Sequence, residues 1–101
     1  MAKSFQYYFE WDRTKARSNH RKHGISFDRA ATIFLDPHML SEYDEQHSEQ
    51  EERWITMGVD HTAMVVVVCH TFEETTRDSA IVRLISARKA TKAEISQYRK
   101  A

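Results

Sequence analysis

The sequence predicts an α+β domain: a small antiparallel β-sheet flanked by two N-terminal helices and one C-terminal helix. Three observations carry this. Phe5, Tyr7, Phe9 and Trp11 alternate with Gln6, Tyr8, Glu10 and Asp12, the period of a strand. Two capped helical segments follow, the second stopped by Asp36-Pro37. Strand-like runs then fill residues 39–86, and Thr91-Lys92-Ala93-Glu94 opens a closing helix as a capping box. The order strand, two helices, strand run, helix is that of an α+β fold.

The first strand ends where Asp12 can cap a helix over residues 13–23, closed by Gly24. Ala16 is the only aliphatic residue of that helix, and Arg13, Lys15, Arg17, Arg21 and Lys22 cover most of its surface. So polar a helix buries little, although its late cations suit the negative end of the helix dipole. Ser26 is a good N-cap for the second helix, with Ile25 before it as a staple. Phe27, Ala30, Ala31 and Phe34 then fall at i, i+3, i+4 and i+7, a stripe facing the core. A strand is expected from Met39 to Tyr43, an acidic loop from Asp44 to Glu52, and a strand from Arg53 to Met57 ended by Gly58. Residues 63–69 are continuous and β-branched, as suits a central strand buried on both faces. Residues 73–78 read as a connecting turn and 80–86 as the last strand. Ile95 and Tyr98 dock the closing helix.

The chain has 101 residues, enough for one domain with a small core. There are no repeats and no linker, so residues 1–101 read as a single domain. Hydrophobic residues at 41% and only two glycines and one proline exclude collagen-like and low-complexity chains. The longest apolar run is too short to cross a bilayer. No apolar segment follows Met1-Ala2-Lys3-Ser4, so no signal peptide is visible. One cysteine, Cys69, excludes an internal disulfide and fits a reducing compartment, hence a cytoplasmic protein. The formal net charge of +0 argues at first against a nucleic-acid partner. Its distribution argues otherwise. Residues 1–35 carry seven basic against three acidic side chains, residues 36–60 one against eight, and residues 61–101 seven against four. Two basic thirds flank an acidic one, so a neutral chain can present a basic face.

Phe9-Glu10-Trp11-Asp12, then Lys15-Ala16 and Asn19, then Lys22-His23-Gly24-Ile25-Ser26-Phe27 and Ala30, together resemble the opening of the BrnT toxin family. Glu52-Arg53-Trp54 with Gly58, and Arg83-Leu84-Ile85-Ser86-Ala87-Arg88-Lys89-Ala90 with Glu94 and Tyr98, extend the resemblance over nearly the whole chain. Leu84 stands where an isoleucine is expected, a conservative change. The resemblance implies a bacterial type II toxin–antitoxin system and a RelE-like ribonuclease that cleaves RNA and arrests translation. It also implies a BrnA-type antitoxin, a dimeric DNA-binding protein that neutralises the toxin in a two-plus-two complex and represses the shared operon.

Cleaving RNA without a metal requires taking a proton from the 2′-OH, holding the charge that builds on phosphorus, and protonating the leaving 5′-oxygen. His23, beside Lys22 at the end of the basic helix, carries an imidazole, a side chain able to serve as base or acid; alternatively it packs at the helix end. Arg83 lies in an apolar strand on one face with Ile81 and Ile85. A cation there is either paired, with Glu10 or Glu52, or faces a cleft where it binds phosphate. Arg88, expected just past the strand end, is a second phosphate ligand or a solvated charge. Glu52 is a candidate base. Strand alternation points Glu52 and Trp54 one way and Arg53 the other, so the three do not share one site, and Trp54 reads as core. Tyr98 could donate a proton, stack on a base or dock the helix. The catalytic candidates are therefore Lys22, His23, Glu52, Arg83, Arg88 and Tyr98. Candidate RNA contacts are Lys15, Asn19, Arg21, Arg53 and Lys89. His20-x-x-His23 and Cys69-His70 fall short of a recognisable four-ligand zinc pattern, and the acidic loop reads as solvated rather than as a magnesium site. No metal and no cofactor is expected. The competing reading is a non-catalytic module that docks RNA or protein through the basic first helix.

Overall fold

The computed structural model describes residues 4–101; Met1 to Lys3, where the reading of a missing signal peptide begins, lie outside the described residues. Strand β1 (Gln6–Glu10) leads through Asp12 into α1 (Arg13–His23). The Asp12 carboxylate accepts the Lys15 amide at 2.9 Å, and Gly24 closes the helix at φ 72°. Ser26 then caps α2 (Phe27–Ala31), which tightens into a 3-10 turn (Thr32–Leu35) before Asp36-Pro37. Five strands follow: β2 (Leu40–Tyr43), β3 (Trp54–Val59), β4 (Val65–His70), β5 (Glu73–Thr76) and β6 (Ser79–Lys89). The Thr91–Glu94 capping box forms as read, and α3 (Lys92–Lys100) closes the chain.

The sheet is mixed, not antiparallel. Its order is β1-β6-β4-β3-β2, and β1 runs parallel to the first half of β6, from Gln6 opposite Ser79 to Glu10 opposite Arg83. The other pairings are antiparallel. Residues 73–78, read as a turn, contain β5, which pairs with the first half of β6 on the side away from β1. The last strand is longer than read and carries Arg88 within it, opposite Val67. Gly58 does not end its strand but lies inside β3. A Cβ there would stand 3.2 Å from both the Cβ and the carbonyl oxygen of Ile33, so glycine is what lets the 3-10 turn approach the sheet.

One face of the sheet carries the core. Ile25, Phe27, Ala30, Ile33 and Phe34 pack against Val66, Val68, Val82, Leu84 and Ala87. Phe34 meets Tyr7, Phe9 and His70 with ring centroids 5.0–5.3 Å away. The basic helix α1 solves its shortage of apolar residues with an amide. Its inward stripe is Ala16, Asn19 and His23, and Asn19 is buried. Asn19 Nδ2 donates to the Ala87 carbonyl at 2.9 Å, and Oδ1 accepts the Ala87 amide at 3.1 Å. The side chain thus pairs with β6 beyond the point where β1 stops, as a strand would. It also donates to the Ile25 carbonyl at 3.3 Å. Asn19→Ala is expected to cost about 1–3 kcal/mol by leaving buried backbone groups without partners, read as a lower denaturant midpoint at unchanged slope.

His70 is a second buried polar anchor. Its Nδ1 donates to the Thr71 carbonyl at 2.8 Å, which leaves Nε2 to accept from the Thr56 hydroxyl at 2.6 Å. Burial pushes its pKa below the ordinary histidine value of 6.5, against the opposing pull of the Thr71 carbonyl. Unfolded protein therefore binds a proton near pH 6.5 that the folded protein refuses. Stability is expected to be complete above that pH and to fall as the pH drops from 6.5 toward the folded value. Denaturation at pH 7.5 and 5.5 checks the sign, and His70→Gln should flatten the slope.

Candidate active site

The face of the sheet opposite α1 and α2 holds the charged constellation. β6 is bulged against β4 between Cys69 and His70, so that Leu84 faces the core while Ser86 and Arg88 join Arg83 on the open side. Arg53, immediately before β3, and Ile55 within it face this side, and β4 contributes Val67 and Cys69. Asp44, His47, Arg53, Ile55, Val67, Cys69, Ile85, Ser86 and Arg88 line a cleft of about 290 Å3. A second hollow, about 220 Å3, adjoins it through His47 and Arg53 and is lined by Gln46, Glu49, Gln50 and Glu51.

Glu51 is the hub. Its Oε1 lies 2.5 Å from Arg83 Nη2 and 3.4 Å from Arg53 Nη2. Burial raises the carboxyl pKa, but hydrogen bonds and charge from Arg83 and Arg53 outweigh it, so the group sits below the ordinary glutamate range and is ionised at neutral pH. Arg83 keeps 40% of its side chain exposed despite its place in the strand. Arg53 Nε is buried and has no hydrogen-bond partner among the described residues. A guanidinium donor in that condition fits a site for an anion.

Arg88 is differently employed. It holds Glu94 with both arms of its fork, at 2.8 and 3.0 Å, and Glu94 also caps α3 through the Thr91 amide. The Arg88 hydrogen bonds dominate and lower the Glu94 carboxyl to about 2, against the cost of its burial. Arg88 therefore fastens α3 to β6 at the rim of the cleft. Cys69 lies in the cleft as a thiol, since burial pushes its pKa up; it is not poised as a nucleophile.

The sequence-read candidates divide between two faces. Arg53, Arg83 and Arg88 are brought to the open side. The carboxylate facing them is Glu51, while Glu52 is exposed and points away, with Trp54 on the other side of β3. The alternation read for Glu52, Arg53 and Trp54 thus holds, and Trp54 stacks edge-on against Tyr43. Lys22 is exposed and His23 half-buried at the end of α1, and no α1 residue lines either hollow. Lys15, Arg21 and Lys89 are exposed. Asn19 is committed to the fold through Ala87. The Tyr98 hydroxyl donates to Asp36, and burial together with that carboxylate raises its pKa to about 12, so it docks α3 and is a poor acid. His70 uses both ring nitrogens and cannot serve as a ligand alongside Cys69. Among the described residues no three or more His, Cys, Asp or Glu side chains gather as they would around a metal ion. No helix among them is long and apolar enough to cross a membrane.

Sequence reading missed Glu51 and a histidine, His47, whose Nδ1 lies 2.8 Å from Asp44 Oδ2. The signals were present. Glu51 is two residues from Arg53 and so shares its side of an extended chain. Asp44 and His47 are spaced i, i+3, the separation that meets across one helical turn.

The family profile described as "Ribonuclease toxin, BrnT, of type II toxin-antitoxin system" matches residues 11–94. The fold is similar to that of the Brucella abortus ribonuclease toxin BrnT, known from a 1.1 Å crystal structure. The TM-score is 0.57 at 20% identity, over 85% of this chain and 97% of that one. Among curated proteins the sequence finds no match. With its family profile spanning every element from the start of α1 into α3, the chain belongs to the BrnT family of ribonuclease toxins of type II toxin–antitoxin systems.

Proposed function

We propose that the protein is a metal-independent endoribonuclease of the RelE-like kind, cutting RNA on the open face of its sheet by attack of a ribose 2′-OH on the adjacent phosphate. The observation that carries this reading is the ionised Glu51 carboxylate held beside Arg83 and Arg53. RNA phosphate replaces Glu51 on the guanidinium forks, which then hold the charge that builds on phosphorus. The displaced carboxylate remains next to the phosphate as base for the 2′-OH. Arg88 extends the basic rim but must release Glu94 to contact RNA, which makes it a weaker ligand than Arg83.

In this reading the whole chain acts as one toxin domain in the cytoplasm and arrests translation. A type II toxin implies an antitoxin; we assign a BrnA-type DNA-binding protein, binding two to two. The basic surface of α1, with Arg13, Lys15, Arg17, Arg21 and Lys22 all exposed, supports a second reading: a non-catalytic module that docks RNA or protein by charge.

Expression in bacteria separates the two. The catalytic reading expects growth arrest that is relieved by Arg83→Ala in protein that stays folded. Arrest that persists in Arg83→Ala and disappears when Lys15, Arg21 and Lys22 are replaced would favour the binding module.

A further inference from the structure

Glu51 and the arginines account for the attacking oxygen and the phosphate, and the leaving oxygen still requires a proton. We propose that His47 is the general acid of this site and that Asp44 is its positioning residue; this deepens the ribonuclease reading and rests on it.

The segment is built to hold an imidazole in one place. The Asp44 amide donates to the Arg53 carbonyl at 2.9 Å, and the Arg53 amide donates to Ser48 Oγ at 3.0 Å, which closes residues 44–53 into a tied loop. Ser48 Oγ also donates to the Asp44 carbonyl at 2.5 Å. His47 rides on the 3-10 turn (Glu45–His47) at the top of this loop. Asp44 is buried beneath it, and its carboxylate can only accept, so the proton between them resides on His47 Nδ1. The ring is thereby oriented with Nε2 outward, without a protein partner among the described residues. Its side chain is 62% exposed. It borders both hollows, the one shared with Arg53 and Arg88 and the one shared with Glu51 and Arg53.

The other five histidines do not compete. His70 is buried with both nitrogens engaged. His20 and His23 lie on α1, away from the two hollows. His38 follows Asp36, and His61 lies at a different hollow near Thr32 and Val59. Tyr98 is tied to Asp36.

The step balances with these groups alone. The 2′-oxygen forms a bond to phosphorus as Glu51 takes its proton. The bond from phosphorus to the 5′-oxygen breaks as the His47 imidazolium passes its Nε2 proton to that oxygen. The products are a 2′,3′-cyclic phosphate and a 5′-hydroxyl, and exchange with water resets both side chains. The buried Asp44 carboxylate, 2.8 Å from His47 Nδ1, fixes the ring with Nε2 toward the hollows.

A leaving-group substitution tests this. One oligoribonucleotide carries the ordinary bridging 5′-oxygen, and its twin carries a 5′-bridging sulfur at the same position. A thiolate departs without a proton because a thiol is far more acidic than an alcohol. His47→Ala and His47→Gln are expected to slow cleavage of the ordinary substrate by about 10²–10⁴-fold and to cleave the sulfur substrate at close to the wild-type rate. Arg83→Ala is expected to be slow on both. His47 variants equally slow on both substrates, or unaffected on both, would overturn the assignment while leaving the ribonuclease reading in place. Wild-type protein inactive on both would overturn that reading and this one with it. Because His47 is exposed, its variants are expected to keep the wild-type circular dichroism and melting transition.

Discussion

Arg83→Ala is expected to lower RNA cleavage by about 10²–10³-fold, the loss typical when one preorganised donor to a developing oxyanion is removed. The residue is placed for that role by β6. Glu10 of β1 lies opposite Arg83 on one side, and on the other the Thr71 amide donates to the Arg83 carbonyl at 3.0 Å, so the backbone under Arg83 is fixed on both sides. Neighbours Val82 and Leu84 are buried in the core, which leaves Arg83 to point to the open face. A guanidinium there is preorganised and half exposed, its fork within reach of a phosphate. Arg83→Lys keeps the charge but not the planar fork and is expected to fall between alanine and wild type. The fold should survive both changes, because half-exposed ion pairs add little stability. RNA binding offers an independent check. Each phosphate contact on single-stranded RNA contributes roughly 0.7 to the slope of log affinity against log salt, so Arg83→Ala should reduce that slope by about this amount. A wild-type rate in folded Arg83→Ala would remove Arg83 from the mechanism.

Glu51→Gln is expected to act in two directions at once. The turnover rate should fall by about 10²–10⁴-fold, since the amide cannot take the 2′-OH proton. RNA should bind at least as tightly as before, because the carboxylate that competes for Arg83 and Arg53 is gone. The pair of measurements is informative because a carboxylate that merely plugs the site would give the opposite rate: cleavage would rise on its removal. The pH dependence follows from the sign of the shift. The Glu51 carboxyl sits below its ordinary range in the free protein, so the base is lost only when the pH falls through that lowered value. The acid limb of kcat/KM is expected below about pH 4.3, the unperturbed glutamate value.

How much of this was legible in the sequence depends on distance along the chain. Asp12, Ser26 and Thr91 were readable because a cap is made by side chains and amides within one turn, and all three form. The core stripe Phe27, Ala30 and Phe34 was readable for the same reason. The parallel pairing of β1 with β6 was not, because periodicity shows that a segment is extended but not which neighbour it meets or in which direction. β5 hid behind its polar sequence, Glu73-Glu74-Thr75-Thr76, whose fully exposed edge has no apolar face to alternate. At the site, Arg83 stood out as a charge in an apolar strand, whereas its partner came from a loop. The stretch 44–52 looked like solvated acid, yet it ties itself at Asp44, Ser48 and Arg53 and carries Glu51 and His47 to the arginines. Asn19 was read as an RNA contact because it is polar on a basic helix; its amide fits the unpaired edge of β6, which no local pattern reveals.

The central claim is that the chain's own acid, base and guanidinium groups cut RNA through the 2′-OH. The most direct measurement is end-group mapping of RNA incubated with the purified protein, with and without EDTA. The same cleavage is expected in both, with 2′,3′-cyclic phosphate or 3′-phosphate on one fragment and a 5′-hydroxyl on the other. Fragments ending in 5′-phosphate, or cleavage abolished by EDTA, would contradict it.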